Sequence, residues 1–132
     1  MKYILWYLGS FLTFLIIDLT WLGVVALNFY NAKLKDLKAT DVNWSAAIIF
    51  YLLFVAGLLY FVVHPAIMQK NIKMAAFNGA LLGFFAYMTY DLTNLAVIRN
   101  WPLDMSLVDI AWGTVLGCAV CTVSYLIGSK VL

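Results

Sequence analysis

The chain has 132 residues, of which 66% are hydrophobic, 17% aromatic and only 11% charged, against about 45–50% apolar and about 25% charged in soluble domains. A chain this short cannot hide so much apolar surface in a water-soluble core, and it is too apolar to be disordered. Eight Lys/Arg against six Asp, with no Glu, leave a net charge of +2, too little and too scattered for a nucleic-acid surface. The composition points to an all-α integral membrane protein, expected as a single domain.

Four stretches reach the roughly 20 residues that a bilayer crossing needs. They run from about Tyr3 to Leu27, Trp44 to Val63, Met74 to Ile98 and Ser106 to Gly128, which predicts a bundle of four transmembrane helices. The first continues too far past Met1-Lys2 for a signal peptide, so a retained helix is expected. His64-Pro65 should close the second helix, because the residue before a proline is pushed out of the helical region. Trp101-Pro102 supplies a turn, and Ser106 is the expected N-cap of the fourth. Tyr3, Trp6, Tyr7, Tyr30, Trp44, Tyr60, Trp101 and Tyr125 fall near the predicted ends, as in an interfacial aromatic belt. The one long polar segment, Asn28 to Asn43, suits either a short interfacial helix or a solvated loop. Asn43-Trp44-Ser45 fits a glycosylation pattern that matters only in a eukaryotic secretory pathway.

Four crossings put both termini on one side. Lys2, Lys70, Lys73 and Lys130 then face Lys33, Lys35, Lys38 and Arg99 across the membrane. That balance leaves the positive-inside rule undecided; the lysines crowded on short flanks favour cytoplasmic termini. Asp18-Leu19-Thr20-Trp21-Leu22-Gly23-Val24 aligns with Asp91-Leu92-Thr93-Asn94-Leu95-Ala96-Val97. The alignment suggests two related hairpins, with chance similarity between apolar helices as the rival.

Asp18, Asp91 and Asp109 are the sharpest signals. An Asp at mid-helix disfavours insertion by about 2.5–3.5 kcal/mol, so such residues usually face a bundle interior or a wet cavity. Tyr87, Asp91 and Asn94 share one face of the third helix by their four-then-three spacing. Counting back from the third loop, Asp91 sits about 10 Å deep and Asp109 about 6 Å, at the helical rise per residue. Asp109 and Trp112 lie one turn apart, as do Asp18 and Trp21. The expected site is therefore a ligand- or proton-binding cluster of Asp18, Trp21, Tyr87, Asp91, Asn94, Asp109 and Trp112. The rival reading is a hydrogen-bonded polar core with Thr20, Thr93, Asn94, Tyr90 or Trp112 as partners. For Asp109 a third role is as an acid near a helix start.

His64 stands alone, and Cys118 and Cys121 lie within an apolar run. No metal site or cofactor is expected, and the cysteines read as small packing residues. Gly79 and Gly83, like Gly113 and Gly117 continued by Cys121, form small-xxx-small steps that suit either intramolecular packing or a homodimer interface.

The run Tyr87-Met88-Thr89-Tyr90-Asp91-Leu92-Thr93-Asn94, then Trp101-Pro102, then Asp109-Ile110-Ala111-Trp112-Gly113, resembles a group of small bacterial predicted membrane proteins classed as a domain of unknown function. Asp18-Leu19-Thr20-Trp21, Tyr51 and Gly57 share in the resemblance. It implies a four-helix inner-membrane protein of bacteria and carries no activity with it. Three functions stay open from the residues: a small-molecule or proton-coupled carrier, a membrane enzyme acting on a lipid or isoprenoid, and an accessory subunit of a membrane complex. The partners expected are membrane lipids, a small-molecule or lipid ligand and a second copy of the chain.

Overall fold

The computed structural model describes residues 1–35 and 37–132, so Asp36, within the polar segment, lies outside the described residues. The helices are α1 (Lys2–Thr20), α2 (Leu27–Lys33), α3 (Trp44–Leu58), α4 (His64–Met68), α5 (Ile72–Val97) and α6 (Leu103–Val131). π-helical turns at Trp21–Val25 and Leu59–Val63 extend α1 and fuse α3 to α4. The described residues contain no strand.

Three of the resulting rods are long and apolar enough to cross a membrane: Lys2–Val25, Trp44–Met68 and Leu103–Val131. The fourth, α5, has 26 residues, about 39 Å at the helical rise and so longer than a hydrocarbon core. It carries Asn78, Asp91 and Asn94 and does not reach the apolarity of the other three. The expectation of four apolar spans thus holds for three, because Lys73, Asn78, Asp91 and Asn94 all fall on the remaining helix.

Local chemistry sets the ends. Asn43 and Asn71 cap α3 and α5, their side-chain oxygens accepting from the backbone N–H of Ala46 and Met74, both at 3.1 Å. The second rod does not stop at His64-Pro65 but runs on to Met68. Pro65 lacks an N–H and its ring crowds the carbonyl one turn back. The π turn just before it relieves that conflict by shifting bonds to a wider spacing, with the His64 N–H donating to the Leu59 carbonyl. After Met68 the rod closes with paired bonds from Lys70 N to Ile67 O and Asn71 N to Ala66 O, with Lys70 left-handed at φ 50°. The last helix starts at Leu103, directly after Pro102, and not at Ser106. Ser106 is buried and its hydroxyl accepts from Trp101 Nε1 at 2.9 Å. Asp109 therefore lies nearly two turns inside α6, which removes the helix-start role expected for it.

Helices α5 and α6 pack antiparallel along a seam of small residues. The backbone of Gly79 meets that of Gly117 and the Cys121 side chain, Gly83 meets Gly113 and Gly117, and the Tyr87 ring covers Gly113. The glycine steps here serve packing within the chain. α1 lies chiefly against α6 and α3 against α1. Phe14, Val55, Leu58, Val63, Leu116 and Val120 form the core between them. Large side chains such as Ile4, Leu12, Ile16, Phe61, Phe77, Phe85 and Val115 point outward, the inverse of a water-soluble surface and the arrangement lipid tails require. The Lys2 ammonium donates to the Leu132 carbonyl at 3.5 Å, so the two termini meet at one end of the bundle.

Trp6, expected in an interfacial belt, is instead 5% exposed, and its indole N–H donates to the Ser124 carbonyl of α6 at 2.8 Å. Trp6→Phe should cost about 1 kcal/mol for the lost bond, read as a lower midpoint in denaturant titration of the micellar protein.

Candidate functional site

The polar residues of α1, α5 and α6 gather at the bundle end away from the termini, under a cover made by α2. That cover depends on the π turn Trp21–Val25. It carries α1 on to Ala26, where φ −107° and ψ 4° break the rod and redirect the chain into α2. The polar segment is thus helical in its first part, Leu27–Lys33, and that part lies over the site.

Asp18, 4% exposed, accepts two hydrogen bonds: Tyr51 O–H donates to Oδ2 at 3.0 Å and Trp112 Nε1–H to Oδ1 at 3.2 Å. These bonds tie α1 to α3 and to α6. The Trp112 indole lies flat on that of Trp21, with ring centroids 4.3 Å apart and planes within 5°. Trp21 Nε1–H donates to the Tyr30 hydroxyl at 3.2 Å, and Tyr30 O–H donates in turn to Asp109 Oδ1. Burial, then the bond to Asp109, hold the Tyr30 phenol above its ordinary pKa, which keeps its proton in place for that bond. Trp112 and Trp21 thus link the two acids by stacking and hydrogen bonds.

Asp91 differs. Its side chain is fully buried, and neither carboxyl oxygen has a hydrogen-bond partner among the described residues. Asp109 and Ser106 stand across the α5–α6 interface from it, near enough to act on its carboxyl. An unpartnered buried carboxyl opposes folding by a few kcal/mol, and such strain is characteristic of functional sites.

A cavity of about 680 Å³ opens beside this network. Asp18, Tyr87, Asp109 and Trp112 line it, with Tyr30, Tyr51 and Tyr90. Leu22, Leu27, Leu34, Val42, Phe50 and Phe54 supply apolar wall, and Asn31 and Lys38, hydrogen-bonded to one another, also line it. The volume lies within the range of small-molecule sites.

Of the residues singled out from the sequence, Asp18, Tyr87, Asp109 and Trp112 face the cavity, Trp21 backs Trp112, and Asp91 sits behind Asp109. Asn94 is half-buried and continues the Tyr87–Asp91 face beyond the cavity. Among the partners expected for the acids, only Trp112 makes a hydrogen bond to one. Thr20 and Thr93 hydroxyls donate to carbonyls of their own helices, Ile16 at 2.6 Å for Thr20 and Thr89 for Thr93. Sequence reading missed Tyr51 and Tyr30 as ligands of the acids. By sequence Tyr30 belongs to the interfacial belt, and only the break at Ala26 turns it inward. Outside the cavity, Lys33 pairs with Asp104 and anchors α2 to the start of α6.

The family model described as "Predicted membrane protein (DUF2177)" matches residues 3–126. No curated protein and no solved structure matches the chain. Matched over nearly its whole length, and built on three apolar helices of membrane-spanning size, the chain belongs to this DUF2177 family of predicted membrane proteins, a family of unknown function.

Proposed function

We propose that this is a small-molecule-binding protein of the bacterial inner membrane, with four crossing helices, cytoplasmic termini and its site in the opposite leaflet. Adjacent termini support an even number of crossings. The length of α5, and its packing along α6, support its being the fourth. The observation that carries the reading is the cavity itself: a largely apolar chamber onto which two carboxylates face, Asp18 and Asp109. Apolar walls with a few convergent polar groups are the usual form of a ligand site, and intramembrane acids mark pathways or sites. The adjacency of Asp91 and Asp109 suits a proton-coupled carrier, since two carboxyls in one site exchange a proton as a unit. The same pair also suits acid/base chemistry on a lipid or isoprenoid, with Tyr30 orienting Asp109.

Native mass spectrometry on protein extracted in mild detergent tests the reading. A small molecule should accompany the wild-type chain and be lost in Ala86→Phe, which fills the cavity wall. That molecule, added back at a hundredfold excess over its Kd, should stabilise the wild type by about 2.7 kcal/mol. A turned-over product would assign the enzyme reading. Wild type without any bound molecule, and equally stable in Ala86→Phe, would leave the accessory-subunit role instead.

A further inference from the structure

We infer that the cavity takes an apolar cation, such as a lipophilic phosphonium or quaternary ammonium ion or a protonated hydrophobic amine. The inference rests on the ligand-binding reading above and names the ligand class of that same site.

Charge is the first argument. Asp18 and Asp109 line the cavity and Asp91 lies behind Asp109. Among the described residues the one ion pair is Lys33 with Asp104, so none of the three acids is paired to a cation. The groups that bond to Asp18 and Asp109 are Tyr51, Trp112 and Tyr30. All three are neutral donors, aimed as an acceptor-only carboxylate requires. They orient the acids without cancelling their charge, although buried charges are normally paired. Lys38 is the one cationic side chain among those lining the cavity, and its ammonium is engaged by Asn31.

The second argument is the wall. The indole of Trp112, the phenol rings of Tyr87 and Tyr51 and the Phe50 ring border the cavity. Aromatic faces attract cations, most strongly where water is excluded. Apart from Tyr90 and the mutually bonded Asn31 and Lys38, the remaining wall, Leu22, Leu27, Leu34, Val42, Phe54 and Ala86, is apolar and offers nothing to a polar body. A compact, strongly hydrated cation would have to shed its water against that wall, whereas an apolar cation leaves little hydration behind.

Tetraphenylphosphonium and tetraphenylborate share one shape and carry opposite charge, which makes them the probes. Binding is measured by calorimetry on the full chain in an uncharged detergent. The phosphonium should bind, and the borate should bind at least about tenfold more weakly, a difference of about 1.4 kcal/mol. Asp109→Asn should weaken phosphonium binding about tenfold, while Asp41→Asn, an exposed carboxyl outside the cavity lining, should leave it unchanged. Equal or tighter binding of the borate overturns the inference, as does phosphonium binding that ignores Asp109→Asn, or no phosphonium binding at all. Should Asp109→Asn fail to fold, the two probes on the wild-type protein still decide the sign of charge preferred. If the borate wins and Ala86→Phe abolishes its binding, the cation class falls while the ligand-binding reading stands. If mass spectrometry finds no bound molecule in the wild type, the broader reading falls independently.

Discussion

Gly117→Ala should destabilise the protein by about 1–3 kcal/mol, the range of forced overpacking, and Gly117→Leu should leave little folded protein in the membrane fraction. A methyl group at this position runs into the carbonyl of Gly79 on α5, and that neighbour is backbone, which has no rotamer to yield. The seam is continuous, so a displacement at Gly117 also lifts Gly83 and, through Gly113, the Tyr87 ring that borders the cavity. Lipid tails are as apolar as side chains, so close backbone approach is the main source of helix association here. Gly57→Ala is the control. A methyl there meets nothing within 4 Å, so its midpoint in a detergent denaturation series should stay within about 0.5 kcal/mol of wild type. Equal losses at Gly57 and Gly117 would show that glycine acts here through helix flexibility and not through contact.

The second large effect is a contrast between two isosteric changes. Asp18→Asn should cost about 1–3 kcal/mol, because Asp18 accepts from Tyr51 and Trp112 and an amide nitrogen cannot accept from either. Asp91→Asn should be neutral or stabilising, since Asp91 is fully buried and accepts from nothing. Replacing an unpartnered buried carboxyl by an amide of the same shape breaks no bond. The same Asp91→Asn protein should lose ligand binding or turnover if the carboxyl is retained for function, the trade expected where a site is held under strain. Thermal unfolding of both variants in one detergent checks the contrast. A large loss in Asp91→Asn, matching that of Asp18→Asn, would mark Asp91 as a structural group.

How legible the site was in the sequence depended on the residue. Tyr87 and Asp91 share a helix face by spacing alone, and their facing of α6 follows from the short connection through Trp101-Pro102. Tyr51 lies on the second rod, where no period or motif marks a partner for an acid 33 residues earlier in the chain. Tyr30 reads locally as an interfacial aromatic, and it is the π turn at Trp21–Val25 and the break at Ala26 that bring it to Asp109. Proline at position 65 and serine at position 106 misled for a related reason. Each is a strong local signal, and each is overridden by its surroundings, one by a widened turn that absorbs the proline and the other by a buried hydrogen bond to Trp101.

Composition pointed to lipid, because 66% hydrophobic residues in 132 exceed what a water-soluble core can hide, and the long apolar runs pointed to helices. It also determined that three acids embedded in apolar helices had to turn inward, since a carboxylate facing acyl chains is too costly to keep. Only the tertiary structure decided which acid is satisfied and which is stranded. Hydrogen bonds to Asp18 and Asp109 come from tyrosines and tryptophans on other elements, and nothing within their own helices foretells them. A buried polar group is won or lost by partners within about 3 Å, and in a bundle those partners are set by how the rods pack, not by their order along the chain.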